Sequence, residues 1–141
     1  MFKIGVFAII LNEKREILLC HRRDSDFWNL PGGGLEEKES PWEGIAREVK
    51  EETGFKIEIK RLIGVYHKAE KKEIIFSFKC VITGGRSILN NEADQIMFFP
   101  YEKLPKNISQ KHRDRIEDAL KNLNNIVLKS QNFPDYLELK K

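Results

Sequence analysis

Apolar positions along the chain change period several times, and each change marks an element. FKIGVFAII (residues 2–10) and REILLCHRR (15–23) are β-rich runs interrupted by Leu11-Asn12-Glu13-Lys14, which predicts an antiparallel hairpin. From 24 to 38 the composition turns to Asp, Ser, Asn, Pro and Gly, so loop is expected there. The period then becomes helical. Trp42, Ile45, Ala46 and Val49 form an apolar stripe that should lie on a core. Ser40 caps this helix, Pro41 takes its first position, and Glu43 completes a Ser-x-x-Glu capping box. Gly54 supplies a left-handed stop. Three β-rich segments follow, at 57–68, 73–82 and 95–100, and Ile75, Phe76, Phe78, Cys80 and Ile82 alternate through most of the second. A second helix is expected over about 110–124, from Ile116, Leu120, Leu123 and Val127 at helical spacing. The ending SQNFPDYLELKK keeps Phe133, Tyr136, Leu137 and Leu139 for docking on the domain or on a second subunit, so a homodimer is one expectation. No repeat, linker or low-complexity stretch divides the chain. We read residues 1–141 as a single α/β domain, with the packing of 126–141 left open.

Composition narrows the class. At 141 residues the chain is long enough for a core without disulfide or metal staples. With 40% apolar and 33% charged residues it has the balance of a folded globular domain rather than a disordered one. The longest apolar run, Val6 to Leu11, is far short of the roughly 20 residues of a membrane helix, so no membrane partner is expected. The N-terminus lacks the pattern of a signal peptide. Cys20 and Cys80 lie far apart in apolar stretches and read as reduced core thiols, which makes cytoplasmic the expected location. The net charge of +3 is scattered, apart from Arg22-Arg23 and Lys71-Lys72, and gives no reason to expect a nucleic-acid partner.

Against that even background one window stands out. Seven glutamates crowd into residues 36–52, giving a window of net charge −4 in a chain of net charge +3. At about 100° per residue, Glu48, Glu51 and Glu52 share one helix face. Like charges three and four residues apart repel by roughly 0.2–0.5 kcal/mol per pair, and Arg47 can offset part of this by pairing with Glu51. Such a face is either plain solvated surface or a place for a hard cation. Mg²⁺ and Mn²⁺ take carboxylate oxygens, one or two at a time, and commonly bridge them to phosphates.

The spacing decides between these readings. Gly33, five residues, Glu39, seven residues, then Arg47-Glu48-Val49-Lys50-Glu51-Glu52-Thr53-Gly54-Phe55 fills every fixed position of Gly-x5-Glu-x7-Arg-Glu-U-x-Glu-Glu-x-Gly-U, where U is apolar. This resembles the Nudix box, and Trp28-Asn29-Leu30-Pro31-Gly32 is similar to the family's lead-in. The resemblance covers about residues 2–125. It implies an α/β/α sandwich with a mixed β-sheet between helices. It also implies a pyrophosphohydrolase that uses Mg²⁺, for which Mn²⁺ can substitute, on a nucleoside diphosphate linked to another moiety. By the same resemblance Glu48 and Glu52 are metal ligands, Glu51 shares their cluster, and the Gly32 carbonyl is a further ligand. Glu39 and Arg47 should pair and hold the loop against the helix, a task that suits the planar fork of Arg. Gly33 and Gly34 should let the loop approach phosphates closely.

The resemblance leaves the general base and the substrate open. Base candidates are Glu48 and Glu52 on the box helix, which we favour, and Glu92 or Asp94 in the loop before 95–100. Relatives often place a glutamate where this chain has Gln95, and an amide is no base. Arg22 and Arg23 are candidates for phosphate contacts, or else solvated strand-end charges. Phe27 and Trp28 are candidates for stacking on a base, or else core. Tyr66, Phe99 and Tyr101 could line the same cleft, while His67 reads as an ordinary strand residue. The run after the box lacks the proline associated with ADP-ribose hydrolases, and PGGG lacks the lysine of many diadenosine polyphosphate and RNA-end hydrolases. A nucleoside triphosphate or a nucleotide sugar is therefore the leading expectation for the substrate. ADP-ribose or a dinucleoside polyphosphate comes next, and a nucleotide-sensing module without turnover is the alternative of another class.

Overall fold

The computed structural model describes residues 1–121 and 124–132. In chain order it contains β1 (Lys3–Ile10), β2 (Ile17–Arg22), β3 (Trp28–Asn29), β4 (Gly32–Gly34), α1 (Pro41–Thr53), β5 (Phe55–Lys68), β6 (Glu73–Gly85), β7 (Ala93–Phe99), α2 (Gln110–Lys121) and β8 (Val127–Ser130), with one 3₁₀ turn at Tyr101–Lys103. A mixed five-stranded sheet runs β4-β1-β6-β5-β8, and an antiparallel three-stranded sheet runs β3-β2-β7. Alternation along β1 sorts its side chains to two cores. Val6, Ala8 and Ile10 pack with Ile45 and Val49 of α1, whereas Ile9 packs with Ile116 and Ala119 of α2. Sheet residues thus lie between the two helices, the sandwich the box resemblance implies.

The expected β1–β2 hairpin does not form as a ladder. The two strands touch at one bridge, Leu11 to Ile17, and the Asn12 side chain closes the turn by accepting from the N–H groups of Lys14 and Glu16. They then part into different sheets. β1 is buried along most of its length, and it pairs with β6 in parallel and β4 in antiparallel register.

Helix α1 has the ends its sequence calls for. Glu43 N–H donates to Ser40 Oγ at 3.1 Å, Ser40 N–H donates to Glu43 Oε1 at 3.1 Å, and Gly54 caps the other end at φ 84°. Its buried face is rotated from the expected stripe. Ile45 and Val49 are fully buried, but Trp42 is 61% exposed and Ala46 is also outside, with Gly44 and Thr53 inside instead. A Cβ on Gly44 would stand 2.2 Å from Leu35 Cδ2, so the glycine is what lets the preceding loop close on the helix.

Toward the C-terminus, Val127 belongs to β8 rather than to α2. This strand pairs in parallel with Gly64–His67 of β5. Leu123, Phe133, Tyr136, Leu137 and Leu139 lie outside the described residues. Both cysteines are buried free thiols, and burial pushes Cys80 up to about 12. Among the described residues no helix is long and apolar enough to cross a membrane.

Candidate catalytic site

The short strand β4 lies against β1, with Val6 opposite Gly33 and Phe7 opposite Gly32. A Cβ at Gly32 would fall 2.1 Å from the Val6 carbonyl oxygen, so only glycine fits that approach. A Cβ at Gly33 would stand 2.8 Å from Glu48 Oε1. The glycine strand is therefore in direct reach of the acidic helix.

Glu48 and Glu52, one turn apart on α1, meet there. Gly32 N–H donates to Glu52 Oε1 at 3.4 Å, and Glu52 shares a hydrogen bond with Glu48. Two carboxyl groups this close disfavour a second negative charge, and at Glu52 the protonated form is favoured. Burial first, then the hydrogen bond and charge of Glu48, then the charge of Glu92, push its carboxyl up to about 9, against a smaller opposing pull from the Gly32 N–H.

Arg47 binds the remaining acids. Its Nε and Nη2 grip Glu39 at 2.7 and 3.0 Å, its Nη1 donates to Glu48 and Glu51 at 3.1 Å each, and Nη2 also reaches the Gly34 carbonyl at 3.2 Å. One guanidinium thus ties the loop after β4 to the helix, the bidentate geometry that a lysine cannot reproduce. Its own charged state is strengthened, first by Glu39. Glu51, 58% exposed, is turned toward Arg47 rather than toward the Glu48–Glu52 pair.

A cavity of about 760 Å³ opens beside this pair. Gly32, Gly33 and Glu52 form one wall, and Cys20, His21, Arg22, Arg23 and Asn29 another. Asn91 and Glu92 come from the loop before β7, Ala93 opens that strand, and Phe7, Lys111 and His112 lie on further walls. Arg22 is held by Asp24 through two short hydrogen bonds, and Arg23 Nε donates to the Asn90 carbonyl. Both arginines keep their place at the cavity.

The two aromatic candidates do not share that place. Trp28 is a core residue, 8% exposed, edge-on to Phe99 at 4.9 Å and to His21 at 5.0 Å. Alternation along β3 gives the cavity face to Asn29 and the core face to Trp28. Phe27 is half-buried and is absent from the cavity wall. Tyr66 is buried with its hydroxyl on Asp118 at 2.9 Å, and His67 lies by Phe2; neither lines the cavity, nor do Phe99 and Tyr101.

The loop before β7 resolves the odd position. Gln95 is exposed and stands opposite His21 in the β2–β7 ladder. Asp94 is taken by His21 at 2.7 Å, so Glu92 is the loop carboxylate that faces the cavity. Asn90 fixes this loop to the helix: its amide donates to the Glu52 carbonyl, and its Oδ1 accepts from the N–H groups of Glu92 and Ala93 at 2.8 and 2.9 Å. Sequence reasoning missed Asn90, Asn29, His21, Lys111 and His112, because their relevance depends on which loops meet. His112 is fully buried beside Phe7, and burial holds its imidazole neutral.

The donor set suits a hard divalent cation. Among the described residues no three His, Cys, Asp or Glu side chains close into a ready cage. Mg²⁺ needs none, since it takes one or two carboxylates and retains several waters. Metal-ligating carboxyls must be ionised, so a cation bound at this pair would compete with the proton that Glu52 favours without it.

Known proteins resemble this chain along most of its length. Residues 1–119 match the model of the NUDIX domain, and the chain belongs to the Nudix hydrolase family. It is a hydrolase of the class that acts on phosphoric anhydride bonds. It is 31% identical over 120 residues to a MutT-like protein of Streptomyces ambofaciens, covering 85% of this chain and 78% of that protein. It is 32% identical over 119 residues to an ADP-ribose pyrophosphatase of Methanocaldococcus jannaschii, covering 79% and 70%. Among solved structures, a UDP-X diphosphatase superposes with a TM-score of 0.79 at 31% identity, over 91% of this chain and 67% of that one.

Proposed function

We propose that this chain is an Mg²⁺-dependent pyrophosphohydrolase of a small nucleotide, with a nucleoside triphosphate or a nucleotide sugar as substrate. The observation that carries the proposal is the half-buried Glu48–Glu52 pair, set over the Gly32–Gly33 strand, with Glu52 in the wall of a nucleotide-sized cavity. Glu48, Glu52 and the Gly32 carbonyl would hold the cation. Bound there, it supplies neutralisation of phosphate oxygens and a positioned water. Arg47 and Glu39 keep the helix and the glycine loop in register, with Glu51 balancing the Arg47 charge. Arg22 and Arg23 stand where phosphates would enter.

Of the base candidates, Glu92 gains support from the cavity geometry, because Asp94 is engaged by His21 and Gln95 faces away. Water attacks phosphorus, its proton passes to the Glu92 carboxylate, and the bond from phosphorus to the leaving phosphate oxygen breaks. The names of the relatives, ADP-ribose pyrophosphatase and UDP-X diphosphatase, share a nucleoside diphosphate linked to a further group. That shared part is what the cavity must read.

The test is product identification. Nucleoside triphosphates, nucleotide sugars, ADP-ribose and dinucleoside polyphosphates are incubated in ¹⁸O-water, with Mg²⁺ or with chelator. Cleavage of one class to a nucleoside monophosphate, only with metal and with ¹⁸O in one phosphate product, is the expected result. Nucleotide binding without any cleavage would replace this reading with that of a sensing module.

A further inference from the structure

The Glu92 loop is held by a group the reaction itself does not use. His21, the next-to-last residue of β2, lies between two carboxylates: Nδ1 is 2.7 Å from Asp94 Oδ1, and Nε2 is 2.8 Å from Asp26 Oδ1. Its side chain is only 13% exposed. An ionised carboxylate only accepts, so an imidazole in hydrogen bonds with two of them must donate from both nitrogens. The geometry requires an imidazolium.

The backbone builds this contact. The β2–β7 ladder changes register between His21 and Arg22, whose partners are Gln95 and Ala93. Asp94 is the extra residue of that bulge, and a bulge re-aims the side chain it inserts. On the other side, Asp26 is steadied by Asn107, whose amide donates to its backbone and side-chain oxygens at 2.6 and 3.2 Å. The neighbours are accounted for on each element. Trp28 of β3 is edge-on to the ring, Gln95 of β7 is the cross-strand partner, and the adjacent Arg22 is paired with Asp24.

We propose that His21 is a positioning residue: as an imidazolium it clasps Asp94 and Asp26 together and so holds the Asn91–Glu92 segment at the cavity wall. The inference deepens the proposed function, because Glu92 is the proton acceptor in that reading. Both carboxylates favour the charged ring, Asp26 most through its hydrogen bond, and they raise its ionisation above the ordinary histidine value against an opposing effect of burial. A raised value means the clasp is whole at lower pH and loses one of its N–H donors as pH rises through it.

Two readouts separate this inference from the proposed function. The first needs no turnover. Histidine NMR and hydrogen exchange, corrected for intrinsic rates, are measured on the full chain without metal, for wild type, Asp94→Ala, Asp26→Asn and His21→Gln. The His21 ring should titrate above a free histidine and show two N–H protons below that point. Asp94→Ala should lower its pKa, and His21→Gln should cost the amides of residues 91–94 about tenfold in protection, the worth of one charge-assisted hydrogen bond. Protection in α1 and β1 should be unchanged. An ordinary pKa, a single ring proton, or unchanged protection at 91–94 would overturn the clasp, whatever the protein hydrolyses.

The second readout is the pH profile of kcat for whichever nucleotide is cleaved. Wild type should show an alkaline fall at the pKa measured by NMR, and that limb should be missing in His21→Gln. Limbs that are the same in both proteins would overturn the link to catalysis.

Discussion

Replacing Glu52 with Gln should make the metal-free protein more stable while removing its activity. The two side chains have the same shape, and the amide can donate to Glu48 as the retained carboxylic proton does, while its oxygen still accepts from the Gly32 N–H. What changes is the proton. In the folded, metal-free protein the Glu52 carboxyl is pushed up to about 9, while the unfolded chain releases its proton near the ordinary value of 4.5. The folded state therefore binds the extra proton between those limits, and stability must fall as pH rises through that window. At pH 7 the span is about 2.5 units above the unfolded value, and with about 1.4 kcal/mol per unit keeping this acid protonated costs roughly 3–4 kcal/mol. Glutamine avoids that cost. At about 2–4 °C per kcal/mol for a domain of this size, Tm in chelator at pH 7 should rise by roughly 7–14 °C, and at pH 4 by almost nothing. Adding Mg²⁺ should raise Tm for wild type and far less for the variant. Thermal denaturation across pH 4–9 in chelator measures all of this. A variant less stable than wild type at pH 7, or a gap that does not change with pH, would refute the reasoning about the pair.

Three further outcomes follow from the same geometry. Gly33→Ala should leave the fold intact but weaken Mg²⁺ binding at least tenfold by calorimetry, because its methyl meets the movable end of Glu48; Gly32→Ala, whose methyl meets the Val6 backbone, should instead lower Tm or prevent folding. Glu92→Gln should lower kcat by about 10²–10⁴ with Mg²⁺ affinity retained, as expected for a lost general base, whereas Gln95→Glu should give no gain at any pH because that residue faces solvent. Ile45→Ala should cost about 2–4 kcal/mol in denaturant unfolding, since the side chain is fully buried between α1 and the sheet.

What could be read from the sequence was local or fixed by spacing. Ser40, Glu43 and Gly54 act within a few residues of themselves, so both ends of α1 were legible, as was the box that joins Gly33 to Glu52. Pairing between distant segments was not. β1 and β2 look like a hairpin because they are adjacent and similar, but burial on both faces commits β1 to a place between β4 and β6 inside the larger sheet. The rotation of α1 depends on Leu35 closing over Gly44, a contact with no local signature, and it leaves Trp42 in solvent. Trp28 takes the core of its two open readings, and Asn29 the cavity face, because the pleat of β3 decides which one faces the cavity. His21, Asp26 and Asp94 are separated by up to 73 residues, and a bulge in the β2–β7 ladder brings them together.

The most direct test of the central claim is turnover of the responsive nucleotide by wild type and by Glu52→Gln, each titrated with Mg²⁺. The account predicts that wild-type hydrolysis saturates with Mg²⁺ and vanishes in chelator, and that the variant, folded and more stable, is slower by orders of magnitude at every Mg²⁺ concentration. Equal rates in the two proteins, or hydrolysis that survives chelator, would contradict the assignment of the Glu48–Glu52 pair as the metal site.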